Sequence, residues 1–184
     1  MEERLLNDWK IISRNTDGEF SIVYKVVRDD GFICAIKVMS LPRSENDMNQ
    51  LINAGIVSSY EEATNFFAKA IQDELDLMKK FNGSPNILNF FEFTQEVSED
   101  QTSAKYYLRM EYAEDIKSYF LKNGVSQKDV VKLAIDICTA LELISNNNVT
   151  HNDIKPANIF IDNYGNFKLG DFGIASDIGS NKLV

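Results

Sequence analysis

The densest chemistry in the sequence lies in the run His151-Asn152-Asp153-Ile154-Lys155-Pro156-Ala157-Asn158, followed further on by Asp171-Phe172-Gly173. An Asp with a Lys two positions on, an Asn five positions on and a second Asp beyond a tight turn is a set suited to phosphoryl transfer. A carboxylate orients the hydroxyl nucleophile, and a cation neutralises the moving phosphoryl group. Two oxygen donors hold Mg²⁺, a hard cation that prefers carboxylate and amide oxygens.

Taken singly, each of these residues has an ordinary structural explanation. Asp153 and Asp171 suit turns, and His151, the only histidine, suits a satisfied packing position. Glu74 alone is a solvated helix residue, as Glu usually is. Lys37 alone snorkels to the surface. The order in which they recur carries the argument.

That order resembles the protein kinase family, in its Ser/Thr branch. The family's H-R-D-x-K-x-x-N loop reads H-N-D-I-K-P-A-N here, and D-F-G is intact. The resemblance implies that Asp153 is the catalytic base, that Lys155 contacts the γ-phosphate, and that Asn158 and Asp171 bind Mg²⁺. The Lys after the catalytic Asp implies a Ser or Thr acceptor on a protein substrate. Cys34-Ala35-Ile36-Lys37 resembles the V-A-I-K strand, with Lys37 reaching the α- and β-phosphates of ATP. Its implied partner is Glu74, which lies on an inward helical stripe where a carboxylate needs a buried cation. Asp73 and Asp76 fall off that stripe.

Tyr107 to Ala113 resembles the strand and hinge that hold adenine. Met110 is then the gatekeeper, and the backbones of Glu111 and Ala113 bond the base. Val23, Ala35 and Phe160 sandwich the ring. His151, Phe172, Met78 and Phe90 stack as an apolar column. The resemblance brings these scattered residues around one triphosphate cleft, and it runs from Trp9 to Ala175.

Three departures stand out. The glycine-rich loop is reduced to Thr16-Asp17-Gly18-Glu19-Phe20-Ser21 before Val23, with one glycine where the pattern has three. Glycines there let backbone amides approach phosphates closely, so weak ATP affinity is expected, with Thr16 and Gly18 as the remaining contacts. Asn152 replaces the family's Arg, which weakens the expectation of control by phosphorylation of the activation segment. Beyond Gly173 the sequence has no A-P-E motif, and the expectation is a domain truncated soon after D-F-G.

These residues need a scaffold. Trp9–Ile12, Ile22–Arg28 and Phe32–Val38 read as a three-stranded antiparallel meander with turns at Asn15-Thr16-Asp17-Gly18 and Asp29-Asp30-Gly31. Phe67, Ile71, Leu75 and Met78 recur at helical spacing, stopped by Asn82-Gly83. Residues 46–60 are ambiguous and admit a separate short helix. Ile87–Phe93 and Tyr106–Tyr112 read as two further strands around a polar loop, 95–105. Ser126 with Asp129 starts a helix whose apolar face is Val130, Leu133, Ala134, Ile137, Leu141 and Ile144. Strands Asn158–Asp162 and Phe167–Gly170 flank a hairpin turn.

The expected fold class is α+β. It has an N-terminal lobe and hinge, 1–113, built on a five-stranded antiparallel sheet with one main helix. A partial, mainly helical lobe, 114–184, carries the catalytic loop and D-F-G. Its incompletely covered helix face suggests self-association or a partner.

Composition narrows the classes. The 184 residues are 44% hydrophobic and 26% charged, an ordinary globular profile. Nineteen Lys+Arg against 28 Asp+Glu give a net charge of -9, which argues against backbone-driven nucleic-acid binding. No apolar run spans a membrane and no signal peptide is visible, so the expected location is the cytoplasm. Cys34 and Cys138 sit in apolar runs, and both are expected to be buried reduced thiols.

Two other readings compete with a Ser/Thr kinase that uses ATP and Mg²⁺. One is a pseudokinase-like scaffold, favoured by the reduced loop. The other is a small-molecule phosphotransferase sharing H-x-D-x-x-x-x-N, against which Lys155 and Phe172 argue.

Overall fold

Alternating side chains in the early strands dictate a two-faced sheet, because successive Cβ atoms point to opposite faces. In the computed structural model, which describes residues 3–15, 21–99, 103–173 and 175–177, that sheet is the frame of the first of two compact units. The first unit comprises Met1–Gln72 and Phe91–Glu111; the second comprises Asp73–Phe90 and Tyr112–Val184. The fold class is α+β.

The first unit's sheet comprises β1 (Arg4–Leu5), β2 (Trp9–Asn15), β3 (Ile22–Val27), β4 (Ile33–Leu41), β5 (Phe90–Val97, all but its first residue in this unit) and β6 (Ala104–Glu111). Their order is β1-β2-β3-β4-β6-β5. The five expected strands are present, and the two-residue β1 adds an edge. Cross-strand partners are Val23↔Lys37, with Lys37↔Leu108 and Ala35↔Met110. Directly opposed residues share a face, so Val23, Ala35, Lys37, Leu108 and Met110 line one side. Trp9, Val26, Cys34, Ile36 and Tyr107 pack into a core cluster on the other. Arg28 and Arg109 lie over the Trp9 ring at 5.5 and 5.1 Å, which adds cation–π attraction to burial. In the Asp29-Asp30-Gly31 turn, Arg28 holds the Asp30 carboxyl down at about 2.

The ambiguous stretch resolves into α1 (Glu45–Asn53), and the stripe into α2 (Tyr60–Lys80). Ser59 caps α2 by accepting from Glu62 N at 3.2 Å, while Glu62 Oε2 accepts from Ser58 N. This is the Ser-x-x-Glu start signal, within residues the sequence left ambiguous. Gly83, with φ 83°, lies just beyond the helix end as expected.

Two strand boundaries differ from expectation. Ile87 and Leu88 are not in β5. Leu88 N donates to Leu169 O at 3.0 Å and Leu169 N donates to Asn86 O at 2.9 Å, so this segment spends its backbone bonds within the second unit. The polar loop is also shorter than 95–105, since pairing continues to Val97 and resumes at Ala104.

The second unit adds β7 (Glu114–Asp115), α3 (Ile116–Asn123), α4 (Gln127–Asn146), β8 (Val149–Thr150), a 3-10 turn (Pro156–Asn158), β9 (Ile159–Ile161), β10 (Phe167–Leu169) and β11 (Ser176–Asp177). Sequence reading missed α3, although Asp115 caps it through Ser118 N at 2.9 Å and Gly124 ends it at φ 76°. The capping box of α4 forms as expected from Ser126 and Asp129. Its buried stripe is narrower than expected: Ile137, Ala140 and Ile144 are buried with Asp136, while Val130 and Ala134 are exposed. The helix meets β10 and β8, which cover its middle and C-terminal end. Among the described residues no helix is long and apolar enough to cross a membrane.

Cys34 is buried, as expected, and Cys138 is exposed, which corrects the expectation for that residue. Cys138 stands on the face of α4 turned away from its buried stripe. Burial pushes the Cys34 thiol up to about 11. A thiol reagent applied to the native chain at pH 8 is expected to modify Cys138 alone, with Cys34 reacting only in denaturant. Fast native labelling of both, read by mass spectrometry, would contradict the packing of β4.

Candidate active site

The loop after β8 is organised by one histidine and one asparagine. His151 is buried; its Nδ1 accepts from Asp153 N at 3.3 Å and its Nε2 lies 3.2 Å from Gly170 O. A backbone N–H can only donate, so Nδ1 is the acceptor and the proton sits on Nε2, which donates to Gly170. The neutral imidazole thus bridges the loop and the residue preceding Asp171. Asn152 has φ 64°, a left-handed conformation that Asn tolerates better than most residues.

Asn158 is 3% exposed. Its Nδ2 donates to Asp153 O at 2.9 Å and to Asp153 Oδ2 at 2.8 Å. Lys155 Nζ lies 2.7 Å from the same Oδ2. The turn Pro156–Asn158 closes through Asn158 N donating to Lys155 O. Asp153, Lys155 and Asn158 therefore form one bonded group.

The hairpin of β9 and β10 joins Asp171 to that group. Gly170 N donates to Asn158 O at 2.9 Å. Asp162 closes the turn by accepting from Tyr164 N and Asn166 N, each at 2.9 Å. Asp171 has φ 63°, a conformation that costs on the order of 1 kcal/mol and persists where surroundings enforce it. Its enforcement comes from the next residue. Phe172 is buried, with His151 at 5.1 Å and Phe81 stacked at 5.8 Å. Phe81 was not among the residues expected in this column, yet it continues the 67-71-75-78 stripe by one more helical step. Met78, which was expected there, is buried, and Phe90 is half-buried.

Glu74 is 5% exposed, as the stripe requires. A Cβ on Gly173 would lie 3.8 Å from Glu74 Oε2 and 3.3 Å from Asp171 Oδ1, so this carboxylate sits beside the Asp-Phe-Gly backbone. Asp76 is exposed and Asp73 half-buried.

In the first unit, Val23, Ala35, Lys37 and Met110 share a sheet face through the register given above. Glu111 ends β6 opposite Cys34. In the second unit, Ala113 precedes β7, and Phe160 pairs with Asp115. Thr16 and Gly18 lie outside the described residues.

Asn158 and Asp171 suit a hard cation by donor type. Because Asn158 Nδ2 is committed to two acceptors, Oδ1 is the atom left to face a metal. Among the described residues no group of three or more His, Cys, Asp or Glu could hold a metal.

Burial holds the His151 pKa below its ordinary value, against weaker upward pulls from Gly170, Asp171 and Asp153. A depressed folded pKa means the unfolded chain takes the proton first. Stability is then full above the unfolded value of about 6.5 and falls as pH drops through the folded value. With one histidine in the chain, Tm is expected to fall between pH 7.5 and 5.5 in the wild type and to change less in His151→Gln. Equal pH slopes, measured by circular dichroism, would contradict a neutral bridging imidazole.

The family described as protein kinase domain matches residues 16–183. The serine/threonine-protein kinase PrkC of Bacillus subtilis is 35% identical over 103 residues, covering 54% of this chain and 15% of that protein. Aurora/IPL1-related protein kinase 2 of Caenorhabditis elegans is 30% identical over 181 residues, covering 96% of this chain and 51% of that protein. The serine/threonine-protein kinase TOS3 of Saccharomyces cerevisiae is 25% identical over 185 residues, covering 30% of its length. The chain thus spans about half the length of its Aurora-related relative, and less of the others. A match over nearly the whole sequence, with Asp153, Asn158 and Asp171 joined as described, places this chain in the protein kinase domain family.

Proposed function

We propose that this chain binds ATP with Mg²⁺ and transfers the γ-phosphoryl group to a serine or threonine hydroxyl of a protein. The observation that carries the reading is the bonded group Asp153–Lys155–Asn158 with Asp171 tied to it through Gly170. In this reading Asp153 accepts the hydroxyl proton as the oxygen–phosphorus bond forms. The bond from the γ-phosphorus to the bridging oxygen breaks, and ADP leaves with the electron pair.

Lys155 neutralises charge on the transferred group. Lys37 supplies the ammonium for the α- and β-phosphates, and the family resemblance assigns Glu74 as its partner. Asn158 Oδ1 and the Asp171 carboxylate would hold Mg²⁺, whose contribution when bound is to neutralise phosphate charge. The family resemblance assigns the adenine's apolar contacts to Val23, Ala35, Met110 and Phe160, its backbone contacts to Glu111 and Ala113, and phosphate contacts to Thr16 and Gly18. The names of PrkC and TOS3 as serine/threonine-protein kinases support the choice of acceptor. The same reading puts the chain in the cytoplasm, where Mg-ATP is abundant.

The reduced glycine loop favours a second reading, a nucleotide-binding scaffold without transfer. Calorimetric titration with ATP separates binding from turnover. ATP affinity is expected to rise with Mg²⁺ in the wild type. Asp171→Asn, which keeps a residue tolerant of positive φ, is expected to lose that rise, and Lys37→Met to bind weakly with or without metal. Transfer of radiolabel to a generic protein acceptor is expected to drop by about 10²- to 10⁴-fold in Asp153→Ala. Wild-type ATP affinity indifferent to Mg²⁺ would sink the metal assignment; tight Mg-ATP binding with no transfer would select the scaffold.

A further inference from the structure

The inward face of α4 carries one group that the proposed chemistry does not use. Asp136 is 8% exposed and stands beside the apolar Ile137, Ala140 and Ile144. A buried carboxylate is costly unless it is paired and bonded. Its Oδ2 accepts from Lys132 Nζ at 2.6 Å and from Phe167 N at 2.8 Å. Lys132 Nζ also reaches Asn166 Oδ1 at 3.4 Å. One helix thus grips two successive residues at the start of β10.

That strand leads directly to Asp171. Its register, Phe167↔Ile161 and Leu169↔Ile159, sets Gly170 N against Asn158 O. A shift at Phe167 is therefore transmitted to both ends of the hairpin, where Asn158 and Asp171 stand. Stability is a weak reason for the ion pair itself, because the Lys132 side chain is 38% exposed and pairs open to solvent contribute little. We propose that Asp136 is a positioning residue: by holding the Phe167 amide from α4, it fixes the spacing of Asn158 and Asp171. The inference deepens the metal assignment made above and rests on it.

The test compares Asp136→Ala, Asp136→Asn and Lys132→Met with the wild type. Three quantities are read: amide hydrogen exchange at Phe167, the Mg²⁺ concentration that half-restores ATP binding, and ATP affinity without metal. Outer supports of metal ligands typically change metal affinity by about 10- to 100-fold. Asp136→Ala is expected at the low end, about tenfold in the Mg²⁺ half-point, with fast Phe167 exchange and unchanged metal-free ATP affinity. Asp136→Asn keeps an oxygen for Phe167 N and is expected to rescue most of both effects.

Lys132→Met, which leaves the carboxylate in place, is expected to move the half-point the same way by a smaller factor. It carries the test if Asp136→Ala does not fold. An unmoved Mg²⁺ half-point beside fast Phe167 exchange would overturn the proposal, as would an equal loss of metal-free ATP binding. A wild type without any Mg²⁺ dependence would instead remove the metal reading. Phe167 exchange in Asp136→Ala would then decide by itself whether α4 anchors the hairpin.

Discussion

One buried side-chain amide holds the second unit's chemistry together. Asn158 Nδ2 donates twice to Asp153, while Asn158 O accepts from Gly170. A buried asparagine with unmet donors costs about 1–3 kcal/mol, so the loop closes around it in few ways. The closure presents the Asp153 carboxylate, the Lys155 ammonium and the strand leading to Asp171 as a single bonded unit. Without it, three polar residues on a loop would each follow solvent.

Packing reinforces the hydrogen bonds. His151 donates to Gly170 O and touches Phe172, and Phe172 in turn stacks on Phe81. The apolar column thereby fixes the residues on both sides of Asp171, which explains how a carboxylate residue persists at positive φ. Phe81 directly follows α2, and Lys80, the last residue of that helix, donates to Asn147 O just past α4. The elements around Asp171 are thus tied at several points.

The first unit follows a different logic. Its sheet segregates an apolar cluster around Trp9 from a face bearing Val23, Ala35, Lys37 and Met110. A residue's face is decided by parity along the strand, and a one-residue slip would send Lys37 into the Trp9 cluster. The tight turn at Asp30, with Phe32 N donating to Asp30 Oδ1, helps hold β3 and β4 in register.

The order of His151, Asp153, Lys155, Asn158 and Asp171, the α2 stripe with Glu74 inward, and the Ser126 cap of α4 were all determined by sequence, because local spacing and capping are written in neighbouring residues. The start of α2 and the whole of α3 were equally local, marked by Ser59-x-x-Glu62 and by Asp115 and Gly124, and were overlooked. The shift of β5, the exposure of Cys138 and Val130, and the burial of Asp136 against Phe167 were not local. Each depends on which surface arrives from elsewhere in the chain: Leu169 draws the backbone of residues 86–88 out of β5, and β10 covers only part of α4. Periodicity states which side of an element is apolar; only the folded chain decides how much of that side is covered, and by what.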